Sequence, residues 1–163
     1  MRHVGGEVQG VALEQPFLVS VRADVESAVE TDDELLGAGQ QMLDMSVAYA
    51  KQRSQFGRLI GSYQAIKHAL ADVHIAVDLA RPLVYGAALS LADRTPTVAR
   101  DVSAAKACAA DAALLSARVA LQTHGAIGYT AEHDLSHWLL QVQALHSVWG
   151  TPSMHRRRVL EAL

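Results

Sequence analysis

Apolar residues recur along most of this 163-residue chain at alternating spacings of three and four, which is the period of one face of an α-helix. Three long stretches show the pattern, and two shorter helices are predicted after them, an apolar one after Asp134 and a last one that Pro152 opens. The periodic positions of the long stretches are Leu35, Ala38, Met42, Met45 and Tyr49; Ile66, Leu70, Val73, Val77, Ala80, Val84, Ala87 and Leu91; and Val102, Ala105, Ala109, Ala112, Ser116, Val119 and Thr123. Joined by short connections, they predict an all-α, up-down helical bundle.

Residues that favour helix starts and stops separate these stretches. Residues 31–34 (TDDE) form a capping-box pattern, because the first hydroxyl and the carboxylate three residues later can pair with free backbone N–H groups. They predict the start of the first helix, and Gly57 and Gly61 predict its end. At positions 95–96 and 151–152, a threonine cap precedes a proline at the first helical position, so each pair predicts a helix start.

Residues 1–30 lack the helical period. They contain several glycines, Pro16 and the short apolar run 17–21 (FLVSV), which favours a strand. We interpret them as a lead-in segment, either a loop or the remnant of a preceding domain. Residues 31–163 are then the helical bundle.

The composition is that of a globular protein, with half of the residues apolar, 19% charged and a formal net charge of −3. A chain without a basic excess is not expected to bind nucleic acid. No uninterrupted apolar run approaches the ~20 residues that cross a bilayer, so no membrane span is expected. Cys108 is the single cysteine, which excludes an internal disulfide and favours a reducing, cytoplasmic location.

Common catalytic motifs are absent from the sequence, including glycine-rich phosphate loops, the GxSxG turn and the HExxH zinc motif. His133 and His137 have the spacing of two metal ligands on one helix, but no third ligand is evident, so we expect no metal site. The basic run 156–158 is interpreted as charge that is favourable near a helix C-terminus, with a phosphate site as the alternative.

Two glycine-marked turns are the candidates for chemistry. The first, 53–57 (RSQFG), has an arginine that can hold a pyrophosphate with two donors and a phenylalanine that can stack on adenine. The second, 122–129 (QTHGAIGY), has small residues where a backbone can approach a ligand closely. Each turn taken alone also fits a plain helix end that is terminated by glycine.

Taken together, the two turns resemble motifs of the C-terminal helical domain of acyl-CoA dehydrogenases. Residues 49–64 (YAKQRSQFGRLIGSYQ) are similar to the family pattern YAxxRxQFGxxIxxxQ. Residues 122–129 are similar to QxxGGxGY, with Ala126 in place of the second glycine, and residues 149–151 (WGT) fall where the family usually has Glu-Gly-Thr. The resemblance runs from about Thr31 to Leu163, with family-like distances between the three motifs.

The resemblance implies a bundle that builds an oligomer and whose two turns reach the FAD of a neighbouring subunit. By position, Arg53 would contact the FAD pyrophosphate and Phe56 would lie near the adenosine. Gln122, Gly125 and Ala126 of the second turn would line the ADP part. Thr151 would approach the cofactor near the active site. The full set of predicted cofactor-binding residues is Arg53, Gln55, Phe56, Gln64, Gln122, Gly125, Ala126 and Thr151.

Enzymes of the family oxidise an acyl-CoA thioester to the enoyl-CoA, as a carboxylate removes the α proton and the β hydride passes to the flavin. Trp149 stands at the usual position of that glutamate, and an indole cannot accept a proton at neutral pH. Some members carry the base just before the first helix of this domain, near Ser27 here, so Glu26 and Glu30 are weak substitute candidates. The catalytic base therefore remains unassigned.

We therefore expect the C-terminal domain or a truncated subunit of a flavin-dependent acyl-CoA dehydrogenase of fatty acid or steroid side-chain metabolism. It resembles the base-less partner in actinobacterial members that pair unlike subunits, and the isolated chain is expected to be inactive. Its expected partners are copies of itself or another acyl-CoA dehydrogenase subunit, and electron-transfer flavoprotein where the assembly is active. The alternative is a non-catalytic helical scaffold that no longer binds flavin.

Overall fold

The computed structural model describes residues 15–130 and 133–163, with side chains from residue 24 onward. The elements in chain order are α1 (Gln15–Gln52), β1 (Ser54–Gln55), β2 (Arg58–Leu59), a 3-10 turn (Ile60–Ser62), α2 (Gln64–Ala92), α3 (Val98–His124), a second 3-10 turn (Gly125–Tyr129), α4 (Leu135–Leu145) and α5 (Pro152–Glu161). Three long helices followed by two short ones confirm the predicted all-α bundle.

Helix α3 lies at the centre of the bundle and contacts the other four helices. Its buried surface consists mostly of alanine, at Ala105, Ala107, Ala109, Ala110, Ala112, Ala113, Ala117 and Ala120. Small side chains let helices approach closely. Gly39 of α1 lies at a close contact with α3, because a Cβ there would lie 3.3 Å from Ser116 Oγ and 3.5 Å from the Cα of Ala113. The larger core side chains come chiefly from α1 and α2, among them Leu35, Met42, Val73, Val77 and Val84.

The first helix begins earlier than the sequence predicts. Because α1 starts at Gln15, residues 17–21 are helical and the expected strand is wrong. Thr31 lies inside the helix instead of capping it, and its hydroxyl donates to the carbonyl of Ser27 one turn earlier (2.8 Å). Asp32 is buried, so tertiary packing replaces the local capping role. The proposed division between residues 30 and 31 falls within this continuous helix, and residues 1–14 lie outside the described part of the chain.

Helix α3 begins slightly later than predicted. Its first residue is Val98, with Thr97 at the cap position, so the expected cap at Thr95 is wrong. The Thr97 hydroxyl instead donates to the Asp101 carboxylate (2.7 Å), which also accepts from the hydroxyl of Ser90 in α2 (2.7 Å). The Asp101 carboxylate therefore links the end of α2 to the start of α3 through these two hydrogen bonds.

Two other predicted boundaries are confirmed. α3 ends at Gly125, which has a φ of 64°. α5 begins at Pro152, with Thr151 as the cap whose hydroxyl accepts from the Met154 N–H (3.4 Å). The glycine stop after α3 and the threonine–proline start of α5 are local signals, so the sequence alone could predict them.

A small β-hairpin follows α1, although the sequence showed no alternating strand pattern after residue 30. Strands β1 and β2 pair antiparallel around Phe56 and Gly57, which have φ values of 51° and 80°. Positive φ at both central residues is the geometry of a type I′ hairpin turn. The following 3-10 turn packs directly on α1, because a Cβ at Gly61 would lie 2.8 Å from the carbonyl oxygen of Ala50. The hairpin is thereby held against the end of α1.

Helix α2 is long and apolar enough to cross a membrane by length and composition alone, a test that core helices of other proteins also pass. An 18-residue stretch of α2 has a mean hydropathy of 1.4, yet only 22% of this stretch is buried. Much of its apolar surface is therefore exposed. The exposed apolar side chains on it are Ile75, Leu79, Leu83, Tyr85 and Leu89. The expected absence of a membrane span stays a prediction.

Replacing Ala113 by leucine is expected to lower the free energy of unfolding by about 1–3 kcal/mol, because the added atoms have no room where α3 meets Gly39. Urea unfolding followed by circular dichroism measures this. The matched control, Ala48→Leu at an exposed position of α1, should change the same quantity by less than about 0.5 kcal/mol. Equal effects at the two positions would contradict the close approach of α1 and α3.

Candidate functional site

A groove of about 520 Å³ lies where the end of α1 and the hairpin meet the end of α3. Helices α1 and α3 run in the same direction in the up-down-up order, so their C-terminal ends lie together. The lining residues come from the two glycine-marked turns and the last turns of the helices before them: Tyr49, Arg53, Gln55, Ile60, Gln122, Thr123, His124, Gly125, Ala126 and Ile127. The fold thus brings the two candidate turns into one site.

Arg53 gives the groove its positive charge. Its backbone is fixed, because its N–H donates to the carbonyl of Tyr49 (2.9 Å) and its carbonyl accepts from the Ile60 N–H (2.8 Å). With the Gln55 amide oxygen turned toward it, the guanidinium donates from Nη2 (2.7 Å) and Nε (3.2 Å) to that oxygen. None of the described lining residues is a carboxylate, so the groove is suited to an anionic group such as a phosphate.

An aromatic stack joins α1 to the end of α3 beside the groove. The rings of Tyr49 and His124 stack with centroids 4.5 Å apart, and His133 meets His124 edge-on at 5.0 Å. Nδ1–H of His124 donates to the carbonyl of Ala120 (2.8 Å). Burial lowers the pKa of His124 below its ordinary 6.5, against the opposing effect of that hydrogen bond. His124 is therefore neutral near pH 7 and shapes the groove without adding charge.

Five of the eight predicted cofactor residues line this groove, namely Arg53, Gln55, Gln122, Gly125 and Ala126. The other three lie elsewhere. Phe56 is 93% exposed at the hairpin tip, Gln64 is the exposed first residue of α2, and Thr151 caps α5. The groove accordingly assembles the residues predicted for the pyrophosphate and ADP parts of the cofactor, and the roles of all eight stay predictions.

Sequence reasoning missed half of the lining, namely Tyr49, Ile60, Thr123, His124 and Ile127. A signal existed for Tyr49, because it precedes Arg53 by four residues and so shares its side of the helix. The apolar period alone predicts Tyr49 on the core face. The ring of His124 lies in the groove because it stacks on Tyr49 of α1. A contact between residues so far apart in sequence leaves no local pattern.

The candidate bases do not line the groove. Glu26 and Glu30 are exposed and one turn apart on α1. Trp149 is 42% exposed, its indole N–H donates to Thr31 Oγ1 (3.3 Å), and its carbonyl accepts from Nε2–H of His155 (3.1 Å). An indole thus occupies the place that the resemblance gives to the catalytic glutamate.

The paired histidines and the basic run have other contacts. Nδ1 of His133 accepts from the backbone N–H of Leu135 (3.1 Å), and the described residues contain no group of three potential metal ligands. Arg156 forms an ion pair with Asp111, and Arg157 lies 3.8 Å from Glu161 on the same helix. Part of the basic run is therefore neutralised by neighbouring carboxylates.

The sequence matches the family model described as acyl-CoA dehydrogenase, C-terminal domain, over residues 34–163. The acyl-CoA dehydrogenase IpdE2 of Mycolicibacterium smegmatis is 37% identical over 126 residues, which cover 77% of this chain and 39% of that protein. The probable acyl-CoA dehydrogenase YngJ of Bacillus subtilis is 37% identical over 121 residues, which cover 74% of this chain and 32% of that protein. The chain thus corresponds to well under half the length of these relatives.

Solved structures of the same kind superpose on the bundle. A chain of the ChsE4-ChsE5 complex from Mycobacterium tuberculosis gives a TM-score of 0.82 at 29% identity, covering 88% of this chain and 39% of that chain. Butyryl-CoA dehydrogenase from Megasphaera elsdenii gives 0.83 at 27% identity, covering 90% of this chain and 38% of that chain.

Because the pKa of His124 is lowered in the folded protein, the unfolded chain takes up its proton first as the pH falls below about 6.5. Protonation of this residue in the unfolded chain therefore lowers the free energy of unfolding as the pH falls. His124→Phe retains a ring for stacking and should make the loss of stability between about pH 7 and pH 5 smaller. Urea unfolding at several pH values measures it, with the exposed His137→Phe as the control that should keep the wild-type pH dependence. An unchanged pH dependence in His124→Phe would contradict the assignment.

Proposed function

The chain belongs to the acyl-CoA dehydrogenase family, matching its C-terminal helical domain, and from this premise we propose that it contributes part of an FAD site and oligomer contacts to an acyl-CoA dehydrogenase assembly. Members of the family are FAD-dependent oxidoreductases. The observation that carries the proposal is the groove in which Arg53 and Gln55 meet Gln122, Gly125 and Ala126.

The groove suits the diphosphate part of a dinucleotide for three reasons. Beyond its bonds to Gln55, Arg53 keeps two parallel donors, on Nη1 and on the second N–H of Nη2, and no carboxylate of the described lining opposes it. Gly125 and Ala126 have little side chain, so a ligand can approach the backbone at the end of α3. The volume of about 520 Å³ falls within the ~300–1,000 Å³ of small-molecule sites.

Catalysis is proposed to come from elsewhere in the assembly. Trp149 offers no base at the position of the family glutamate, and the predicted cofactor residues that line the groove are those assigned to the nucleotide end of the cofactor. The proposed reaction of the assembly is α,β-dehydrogenation of an acyl-CoA of fatty acid or steroid side-chain metabolism, with electron-transfer flavoprotein as the acceptor. Glu26 and Glu30 stay weak candidate bases, and a cytoplasmic location stays a prediction.

Helix α2 is the proposed oligomer contact. At 100° per residue, its exposed apolar side chains form one face opposite its buried valines. An apolar patch of this kind rarely stays in water, and a two-fold pairing places the same face on both subunits. The related ChsE4-ChsE5 complex is by its name an assembly of two proteins, which supports either a second copy or an unlike acyl-CoA dehydrogenase subunit as the partner.

Arg53→Ala is expected to weaken FAD binding by roughly 10- to 100-fold, because charge-assisted hydrogen bonds are worth about 1.5–3 kcal/mol. Flavin fluorescence titration measures the affinity, with the chain alone and mixed with any co-encoded acyl-CoA dehydrogenase subunit. The matched control is Arg58→Ala. Arg58 lies on the same hairpin, but its guanidinium stacks 3.9 Å from the ring centroid of Tyr63 and does not line the groove.

Two outcomes would count against the flavin role. A purified chain without flavin absorbance that takes up no added FAD, alone or with the partner, would favour the helical scaffold. Unchanged flavin affinity in Arg53→Ala, together with a lower melting temperature, would make Arg53 a structural helix cap.

Leu79→Glu on α2 is expected to dissociate the oligomer, since a carboxylate would have to be buried in an apolar contact. Leu79 is 67% exposed, so the folded subunit should tolerate the change. Sedimentation velocity at micromolar concentration measures the assembly. Leu140→Glu on α4, where the leucine is 69% exposed, is the control and should leave it intact. A wild-type chain that is monomeric, both alone and with its partner, would refute the contact.

A further inference from the structure

Lys106 is a fully buried cation where three parts of the bundle meet. It belongs to α3, and its Nζ lies 3.8 Å from Oδ1 of Asp32 in α1, whose side chain is also fully buried. The same Nζ donates to the carbonyl of Leu145 (2.9 Å), the last residue of α4. One ammonium group therefore links α3 both to α1 and to the start of the connection that leads into α5.

That connection, residues 146–151, is called the Trp149 turn here. The turn is anchored at Leu145. It is also held by the indole N–H of Trp149, which donates to Thr31, the neighbour of Asp32 in α1. His155 of α5 donates to the Trp149 carbonyl, and a Cβ at Gly150 would lie only 3.1 Å from Nε2 of that histidine. Trp149 has a φ of 66°, a conformation that costs free energy for a bulky residue and persists only when surrounding contacts impose it. The shape of the turn is thus imposed by α1, α3 and α5.

The polar atoms that are buried without a hydrogen-bond partner, among the residues the structure describes, all lie in this cluster. They are both carboxylate oxygens of Asp32 and Nδ1 of His155. The charge of Lys106 acts on both of these side chains. A buried carboxylate that is balanced by charge alone, without hydrogen bonds, is sensitive to any change in that charge.

We propose that Asp32 and Lys106 are positioning residues for the Trp149 turn, and that the turn is released when Asp32 takes up a proton. With Asp32 ionised, Lys106 keeps a counter-charge and holds the Leu145 carbonyl through a charge-assisted hydrogen bond. With Asp32 neutral and Lys106 still charged, the buried ammonium has no counter-charge, so water enters the cluster to solvate it and its bond to the Leu145 carbonyl weakens. This inference rests on the proposed function in one respect only, namely that Thr151, a predicted flavin contact, would move with the turn.

The titration is expected near neutral pH. Burial raises the pKa of Asp32 to about 7, against the opposing charge of Lys106. Burial likewise lowers the pKa of Lys106 and of His155, the latter lying near Arg158. His146 is the remaining titratable group of the turn itself. The turn should therefore be held above about pH 7 and released below it.

Global stability has the opposite dependence on this group. Because the pKa of Asp32 rises from 3.8 to about 7 on folding, its ionisation lowers the free energy of unfolding as the pH increases through that interval. As the pH rises toward 7, the turn should become more ordered while the free energy of unfolding falls. Ordering of the turn can therefore be distinguished from a general gain in stability.

Trp149 fluorescence tests the proposal. The chain has two tryptophans, so Trp138→Phe leaves Trp149 as the single emitter. We expect its emission to shift to the red below a midpoint near pH 7, as the indole leaves Thr31. Asp32→Asn and Lys106→Met, each in this background, should abolish the shift and leave the emission at its acid-side value throughout.

Two controls separate positioning from general destabilisation. Ser116→Ala removes another buried polar group of α3, whose hydroxyl bonds only to the Ala112 carbonyl of its own helix (2.9 Å), and it should leave the pH-dependent shift unchanged. His146→Gln should also keep the shift. If Lys106→Met fails to fold, Asp32→Asn decides.

The proposal is overturned if the Trp149 emission is constant with pH, if the shift persists in Asp32→Asn, or if His146→Gln removes it. Lower melting temperatures in Asp32→Asn and Lys106→Met with normal Trp149 emission would likewise reduce the pair to a structural role. No flavin enters this measurement, so its failure is separate from failure of the proposed FAD site.

Discussion

The close packing of the alanine face of α3 against α1 and α2 is the constraint on which the rest of the structure depends. Alanine allows the helices to approach closely, and Gly39 removes the last side chain at the point where α1 and α3 meet. Two helices held this closely cannot slide along each other without clashes. Their C-terminal ends therefore stay side by side, and two turns that are far apart in sequence form one groove.

Helix α3 supports two regions with contrasting uses of charge. At its end, beside the groove, the exposed Arg53, which directly follows α1, is the proposed contact to a ligand, while His124 stays neutral. Lys106 lies 18 residues before His124, or about 27 Å along the helix. There the cation is buried and its partners are Asp32 and the backbone. The first cation is the one that we propose binds a ligand, and the second is the one that we propose holds the protein's own chain in place.

The functional conclusion follows from what the chain contains and what its relatives are. The family and the helical fold are shown by similarity over most of the chain, whereas the relatives are more than twice as long. The groove places Arg53 near the small residues Gly125 and Ala126, which suits the proposed contact with one side of an extended cofactor. Trp149 provides no proton acceptor where the family has its glutamate. The groove and the exposed apolar face of α2 are the two observations on which the proposed assembly rests.

The sequence by itself determined the helical class, the core faces of α2 and α3, the stop at Gly125 and the start of α5, because these follow from backbone periodicity and local capping. It also identified Arg53, Gln55 and the second turn. Only the tertiary structure decided that Thr31 and Asp32 lie within a longer helix. The local pattern fits a helix start, whereas the buried contact of Asp32 with Lys106 depends on how α1 and α3 pack. It likewise brought Tyr49 and His124 into the groove and Lys106 to Leu145. These contacts join residues distant in sequence, and only the packing of the helices sets which of them meet.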